Sequence, residues 1–196
     1  MATYQEIKGG KLKNYTEDPD NPYIGQLWYN TTVHGFRIRK STLGSSWSSG
    51  GNLNTARAAL MGAGTQTAGL AFGGANPDAV NNTEQYDGTS WTEVNNLNTA
   101  RAFGGRAGAT NTAALCIGGT NVNNELWNGT NWTELGDLNT AKRDQASGGT
   151  TTAAIAAGGG PPATTTTELW DGSSWTETTD MNTARNEMTG SAAVNT

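Results

Sequence analysis

The sequence holds one cysteine and one histidine in 196 residues. Cys116 has no second cysteine to pair with inside the chain, so no internal disulfide forms and stability must come from packing. Its place in the apolar run Ala113-Ala114-Leu115-Cys116-Ile117 marks it as a small buried hydrophobe rather than a nucleophile. His34 alone gives a His-based metal cluster or a histidine-dependent triad nothing to build on. It is expected as a surface residue of a hairpin turn. Charge is scarce as well: 15% of residues are charged and the net charge is −5. That balance repels phosphate backbones and anionic lipid surfaces, so neither nucleic acid nor membrane insertion is expected. The basic run Arg37 to Lys40, with Lys8, Lys11 and Lys13 upstream, is too sparse to overturn it and reads as a solvated strand edge. No apolar run approaches the ~20 residues of a membrane helix. No early charged-then-apolar stretch resembles a signal peptide, so a soluble protein made without Sec-type export is expected.

Glycine, threonine, asparagine, alanine and serine fill much of the remainder, and 34% of residues are hydrophobic. Strong helix formers rarely occur in sequence, so short strands joined by Gly/Asn turns are the natural state and the expected class is all-β. The organising feature is a repeat. Trp47, Trp91, Trp132 and Trp175 lie 44, 41 and 43 residues apart, and each leads into a variant of one phrase. These are Leu53-Asn54-Thr55-Ala56-Arg57, Leu97-Asn98-Thr99-Ala100-Arg101, Leu138-Asn139-Thr140-Ala141-Lys142 and Met181-Asn182-Thr183-Ala184-Arg185.

Each unit resolves into four short strands. A small-residue strand follows Arg57, Arg101 or Lys142, and a second strand ends in a glycine pair: Gly73-Gly74, Gly118-Gly119 or Gly158-Gly159. Glycine there admits positive φ or close approach of a neighbouring backbone. A third strand contains Glu84, Glu125 or Glu168 and ends in an aromatic residue. The turns Asp87-Gly88, Asn128-Gly129 and Asp171-Gly172 follow, read as hairpins in which both residues tolerate positive φ. The fourth strand starts at the repeat tryptophan. One such unit buries too little alone, so neighbouring units must supply its core, with the tryptophans as fillers between them.

The ordered combination of period, glycine pair, aromatic and tryptophan resembles the kelch repeat of β-propellers over residues 47 to 196. The units are shorter and richer in Thr, Asn and Ala than the family pattern, and too few for six or seven blades. A WD-type or other four-stranded blade of similar period is the alternative. The resemblance implies about three complete four-stranded blades, spanning Arg57 to Val94, Arg101 to Leu135 and Lys142 to Thr178. A composite or partial blade is the fourth. Residues 25–48, with Gln26 to Asn30, a turn at His34-Gly35 and Phe36 to Arg39, are expected as a β-hairpin and strand leading into the propeller or closing it. Closure would make a four-blade ring; a chain ending mid-repeat, or completion between subunits, is the other reading.

Residues 1–24 lack the repeat and contain Asp18-Pro19-Asp20-Asn21-Pro22, which suits neither helix interior nor central strand. They are expected as an extended N-terminal arm and linker. Asp18 and Asp20 lack the glycine and distal glutamate of a calcium loop. The phrase Asn21-Pro22-Tyr23-Ile24-Gly25-Gln26-Leu27-Trp28-Tyr29-Asn30-Thr31-Thr32 is similar to the N-terminal part of virion structural proteins of marine tailed bacteriophages. That resemblance implies docking of the arm on other virion proteins, repeats displayed outward, a homo-oligomer in the particle, and assembly in the host cytoplasm.

No catalytic, metal or cofactor-binding residue is expected. The glutamates recur in register, whereas a catalytic carboxylate pair should break the symmetry. They are expected to pair with Arg57, Arg101, Lys142 and Arg185 of adjacent units. The least repeated segments are the loops Ala75 to Asn82, Thr120 to Asn123 and Gly160 to Thr166, and recognition usually resides in variable loops on a rigid scaffold. Their ligand-facing candidates are Asn76, Asp78, Asn81, Asn121, Asn123, Thr164 and Thr165. The expected function is a non-enzymatic, tail- or fibre-associated or surface-displayed virion protein serving structural cover or adhesion to a host glycan or protein. A cellular kelch-type protein–protein interaction module is the alternative, and an enzyme on a propeller scaffold a third.

Overall fold

The computed structural model describes residues 4–7, 10–19, 26–38 and 49–190. It is all-β, with no helix among the described residues and sixteen strands in four sheets. Trp47, Lys8, Arg39, Lys40 and the final residues 191–196 fall outside that description. The chain divides into two compact units, Met1–Ser49 and Gly50–Thr196.

The N-terminal unit is one sheet of β1 (Tyr4–Ile7), β2 (Gly10–Tyr15), β3 (Leu27–Asn30) and β4 (Gly35–Ile38), hydrogen-bonded in that order. β2 and β3 run parallel and the other pairs antiparallel. Residues expected as an extended arm therefore form strands, and the expected boundary between residues 24 and 25 falls inside a sheet. The described strands paired with β3 and β4 come from the N-terminal segment. Asp18 explains part of this: its Oδ1 accepts from Trp28 Nε1 at 2.9 Å and Asn30 Nδ2 at 2.8 Å, tying the Asp-Pro turn to the next strand. These bonds favour the ionised form, led by Asn30, and hold the Asp18 carboxyl below its usual range. His34 is exposed in the β3–β4 turn with φ of 50°. Leu27, Phe36 and Ile38 expose their side chains.

The second unit holds three sheets of one pattern. The first repeat sheet is β5 (Met61–Thr65), β6 (Ala68–Phe72), β7 (Thr83–Tyr86) and β8 (Trp91–Val94). The second is β9 (Gly105–Thr110), β10 (Ala113–Ile117), β11 (Asn124–Trp127) and β12 (Trp132–Glu134). The third is β13 (Ala146–Gly149), β14 (Ala154–Ala157), β15 (Thr167–Trp170) and β16 (Trp175–Thr178). Each is an antiparallel meander in sequence order. The registers agree from sheet to sheet, with Ala71 opposite Glu84, Cys116 opposite Glu125 and Ala156 opposite Glu168.

Strand alternation gives every sheet two chemically distinct faces. A carboxylate face carries Glu84, Tyr86 and Trp91 in the first sheet, Glu125, Trp127 and Trp132 in the second, and Glu168, Trp170 and Trp175 in the third. The opposite, aliphatic face carries Leu70 and Phe72, then Leu115 and Ile117, then Ile155 and Ala157. The aliphatic face of the first sheet packs on the carboxylate face of the second, joining Met61, Leu70 and Phe72 to Ala114, Cys116, Trp127 and Trp132. The second and third sheets repeat this with Leu115 and Ile117 against Ala154, Ala156, Trp170 and Trp175. Phe72 and Trp132 meet at 4.9 Å between ring centroids. Trp132 Nε1 also crosses to Thr83 Oγ1 at 3.0 Å, and Trp175 Nε1 reaches the Asn124 amide oxygen at 3.2 Å with that amide turned to accept.

Candidate functional site

The recurring phrase before each sheet is a cradle for that sheet's glutamate. Glu125 Oε2 accepts from Asn98 N at 2.8 Å and Asn98 Nδ2 at 3.0 Å, while Oε1 accepts from Thr99 N at 3.2 Å and from the Arg101 guanidinium. Asn98 Nδ2 bonds Trp132 O at 3.3 Å, pinning the phrase to the fourth strand. Asn139, Thr140 and Lys142 hold Glu168 in the same manner, with Lys142 Nζ at 3.5 Å from Oε1. Asn54 and Arg57 hold Glu84. All three ion pairs are buried. The pairing is within one unit, not between adjacent units as the register suggested. The phrase leads out of the fourth strand of one sheet and serves the next, so Asn98 and Asn139 follow one sheet in sequence and hold the glutamate of the sheet after it. Arg185 is exposed, and among the described residues no carboxylate pairs with it.

For Glu84, burial opposes ionisation, but the Arg57 side chain and the Asn54 backbone amide outweigh it and hold the carboxyl below its usual range. Cys116 is fully enclosed, and burial pushes its thiol up to about 12, Glu125 adding to the effect and Arg101 opposing it. It is inert packing.

The glycine pairs join consecutive units through the backbone. Gly74 N donates to Arg101 O at 2.9 Å, Gly119 N to Lys142 O at 2.8 Å and Gly159 N to Arg185 O at 2.8 Å. Gly73 has φ of 61°, and a Cβ there would lie 2.6 Å from Arg101 O, so both backbone conformation and space demand glycine. The hairpin turns differ from expectation. Only the glycines, Gly88, Gly129 and Gly172, take positive φ. The preceding Asp87, Asn128 and Asp171 instead cap the turn by accepting from the amides two and three positions on, at 2.8 to 2.9 Å. The Ser173 hydroxyl and the Ser174 and Ser173 amides hold the Asp171 carboxyl down to about 2.

The variable loops join the second and third strands of each sheet, at the edge where the glycine pairs lie. Several of the side chains singled out there are engaged in holding the loop. Asn76 Nδ2 bonds Ala56 O at 2.8 Å, Asn81 Nδ2 bonds Leu97 O at 3.1 Å, and Asn121 Oδ1 accepts from Asn123 N at 3.1 Å. Asn123 Nδ2 donates to Glu134, and Thr165 Oγ1 bonds Asp180 Oδ2 at 2.9 Å. Thr164 N and Oγ1 both bond Gly159 O, at 2.9 and 3.4 Å, and Asp78 is exposed. Between the second and third sheets this edge opens into a cleft of about 400 Å³ lined by Thr120, Thr140, Arg143, Pro161, Pro162 and Thr164 among others. Arg143 lies over the Phe103 ring at 5.3 Å, and its Nε bonds Gly160 O at 3.2 Å. The sequence reasoning missed Arg143, although it breaks the repeat: the equivalent positions are Ala58 and Ala102.

Among the described residues, no group of three His, Cys, Asp or Glu side chains is placed to hold a metal ion. No helix long and apolar enough to cross a membrane occurs among the described residues. Comparison with protein-family models and with curated proteins finds no match to this chain.

Proposed function

We propose that this chain is a non-enzymatic structural protein of a tailed-bacteriophage virion, in which the three repeat sheets are blades of a kelch-like β-propeller module. The observation that carries the reading is the fate of the glutamates: Glu84, Glu125 and Glu168 are each consumed in an equivalent buried ion pair. Chemistry is thereby uniform along the stack, and individuality is left to the loops and the Arg143 cleft at one edge. A rigid scaffold with variable loops suits recognition. A half-buried arginine on an aromatic ring, among threonines and prolines, suits a polar host-surface group such as a glycan. In this reading the N-terminal sheet docks the protein on other virion proteins, and its exposed Leu27, Phe36 and Ile38 supply the apolar contact.

Mass spectrometry of purified particles tests the assignment. Presence of the chain at stoichiometric level is the expected result. Its absence from particles, together with co-purification of one defined cellular protein, would replace the virion reading with a cellular kelch-type interaction module. Deletion of residues 1–24 is expected to abolish incorporation, because it removes β1 and β2 from the docking sheet. Retained incorporation would refute the N-terminal unit as the dock.

A further inference from the structure

The cleft between the second and third sheets carries a charge that the repeat does not call for. Arg143 follows the cradle cation Lys142, where the first two phrases have Ala58 after Arg57 and Ala102 after Arg101. The Glu168 cradle is complete with Asn139, Thr140 and Lys142, so Arg143 is not spent on holding the sheets together. All the residues lining the cleft come from the second and third sheets and the segments that join their strands, and neither end of the chain contributes one.

Only part of the guanidinium is used. Arg143 Nε donates to Gly160 O at 3.2 Å and lies 3.5 Å from Asp144 Oδ2, and that side of the group clips the loop. Nη1 and Nη2 have no hydrogen-bond partner among the described residues, and the side chain keeps 42% exposure. The Phe103 ring centroid lies 5.3 Å from the guanidinium carbon. Stacking there restricts rotation, so the two free donors are presented as a fixed fork. Around the fork stand Thr120, Thr140, Thr164, Pro161 and Pro162, with small residues and no carboxylate among the lining. Thr120 and Thr140 are exposed, and their hydroxyls have no partner among the described residues. At about 400 Å³ the cleft has the size of a small-molecule site.

We propose that the Arg143 cleft binds an anionic sugar, a glycan unit bearing a carboxylate or a sulfate group. Nη1 and Nη2 donate in parallel to two oxygens of the anion, the geometry that arginine provides and lysine does not. The threonine hydroxyls meet ring hydroxyls, and the prolines meet the C–H face of the ring. The chain's net charge of −5 repels such a ligand at a distance, so its recognition comes from this local contact and not from the overall field. The assignment rests on the cleft being a recognition site and adds the charge of its ligand.

Nuclear magnetic resonance titration of the full chain reads affinity and place together. The probes are an oligogalacturonate, a sulfated galactan oligosaccharide, the uncharged galactan of the same length, and inorganic sulfate alone. At least one acidic oligosaccharide is expected to shift the resonances of Thr120, Thr140 and Arg143. It should bind more than about tenfold more tightly than the uncharged galactan, with affinity falling as salt rises. Arg143→Ala should remove that preference and Arg143→Lys keep only part of it. Because Arg143 also clips the loop, Thr140→Val is the second variant, expected to weaken the acidic sugar several-fold with the clip intact. An uncharged galactan that binds as tightly as both acidic probes, or Arg143→Ala that keeps the preference, overturns the anionic ligand and leaves glycan recognition standing. Inorganic sulfate that binds as tightly as the sugars also overturns the proposal, since the site then needs no sugar. Binding of none of the probes overturns it together with the glycan reading of the cleft, while mass spectrometry of particles judges the virion assignment separately.

Discussion

At Glu125, a carboxylate buried between sheets is made tolerable by saturating its oxygens with donors. Two come from the backbone of Asn98 and Thr99, one from the Asn98 amide and one from Arg101. Breaking a buried pair by deleting one partner leaves an uncompensated charge, at a cost of about 3–5 kcal/mol. Arg101→Ala is therefore expected to lose that much in urea denaturation. Arg101→Lys should lose markedly less, because the third repeat natively uses Lys142 against Glu168 and because Arg101 Nε is buried without a partner. Equal losses for the two variants would show that the guanidinium geometry, not the charge, is what the cradle needs.

Glu84 gives the same motif a pH signature. Its carboxyl sits below the usual range when folded, whereas the unfolded chain binds the proton near an ordinary pKa of about 4.3. The stabilisation is fully present above that unfolded value and is lost as pH falls through the folded one. The melting temperature of the wild type is expected to fall between about pH 5 and pH 3 more steeply than that of Glu84→Gln. Asp87 and Asp171, also lowered, leave some slope in the variant. Identical slopes would remove Glu84 from the acid response.

At the scale of the element, strand identity was plain in the residues and strand surroundings were not. The fourth strands begin at Trp91, Trp132 and Trp175 as the spacing implies, and the glycine pairs close the second strands. What the spacing could not carry is partnership. Glu84 and Arg57 lie 27 residues apart within one unit, and a repeat looks the same whether its charges pair inward or with the next copy. Nor does a period distinguish end positions from middle ones. Trp91 has the same phrase around it as Trp132, yet it lacks a preceding sheet in its unit and is only partly buried. The N-terminal strands escaped because Gly10 to Tyr15 has no repeat or clean alternation, and its pairing with β3 is parallel and non-local.

The glycine pair supplies the element-scale prediction. Gly73→Ala places a side chain at φ of 61° against Arg101 O. Left-handed strain of this kind costs about 1–3 kcal/mol, and the overlap adds to it. Ala153→Gly, in an exposed turn, changes the same residue types in the other direction and should cost under about 1 kcal/mol. Comparable losses measured by thermal unfolding would mean that Gly73 is not held against the next unit.

At the scale of the whole molecule, stability is a sum of repeat sheets and the interfaces between them. Because interface tryptophans are buried only where a neighbouring sheet covers them, replacement should cost according to position rather than residue type. Trp132→Ala is expected to lose about 3–5 kcal/mol, since its ring meets Phe72 and its indole bonds Thr83 across the interface. Trp91→Ala should lose less. The same logic explains why function is the least legible level. The repeated residues are spent on holding sheets together, and recognition falls to segments whose sequences resemble one another least.

Indole hydrogen exchange, followed by nuclear magnetic resonance in dilute protein, reaches the stacking of the sheets most directly. Trp132 and Trp175, each bonded across an interface, should exchange slowly, and Trp91 rapidly. Uniform rapid exchange at all three indoles would mean that the sheets do not stack as described.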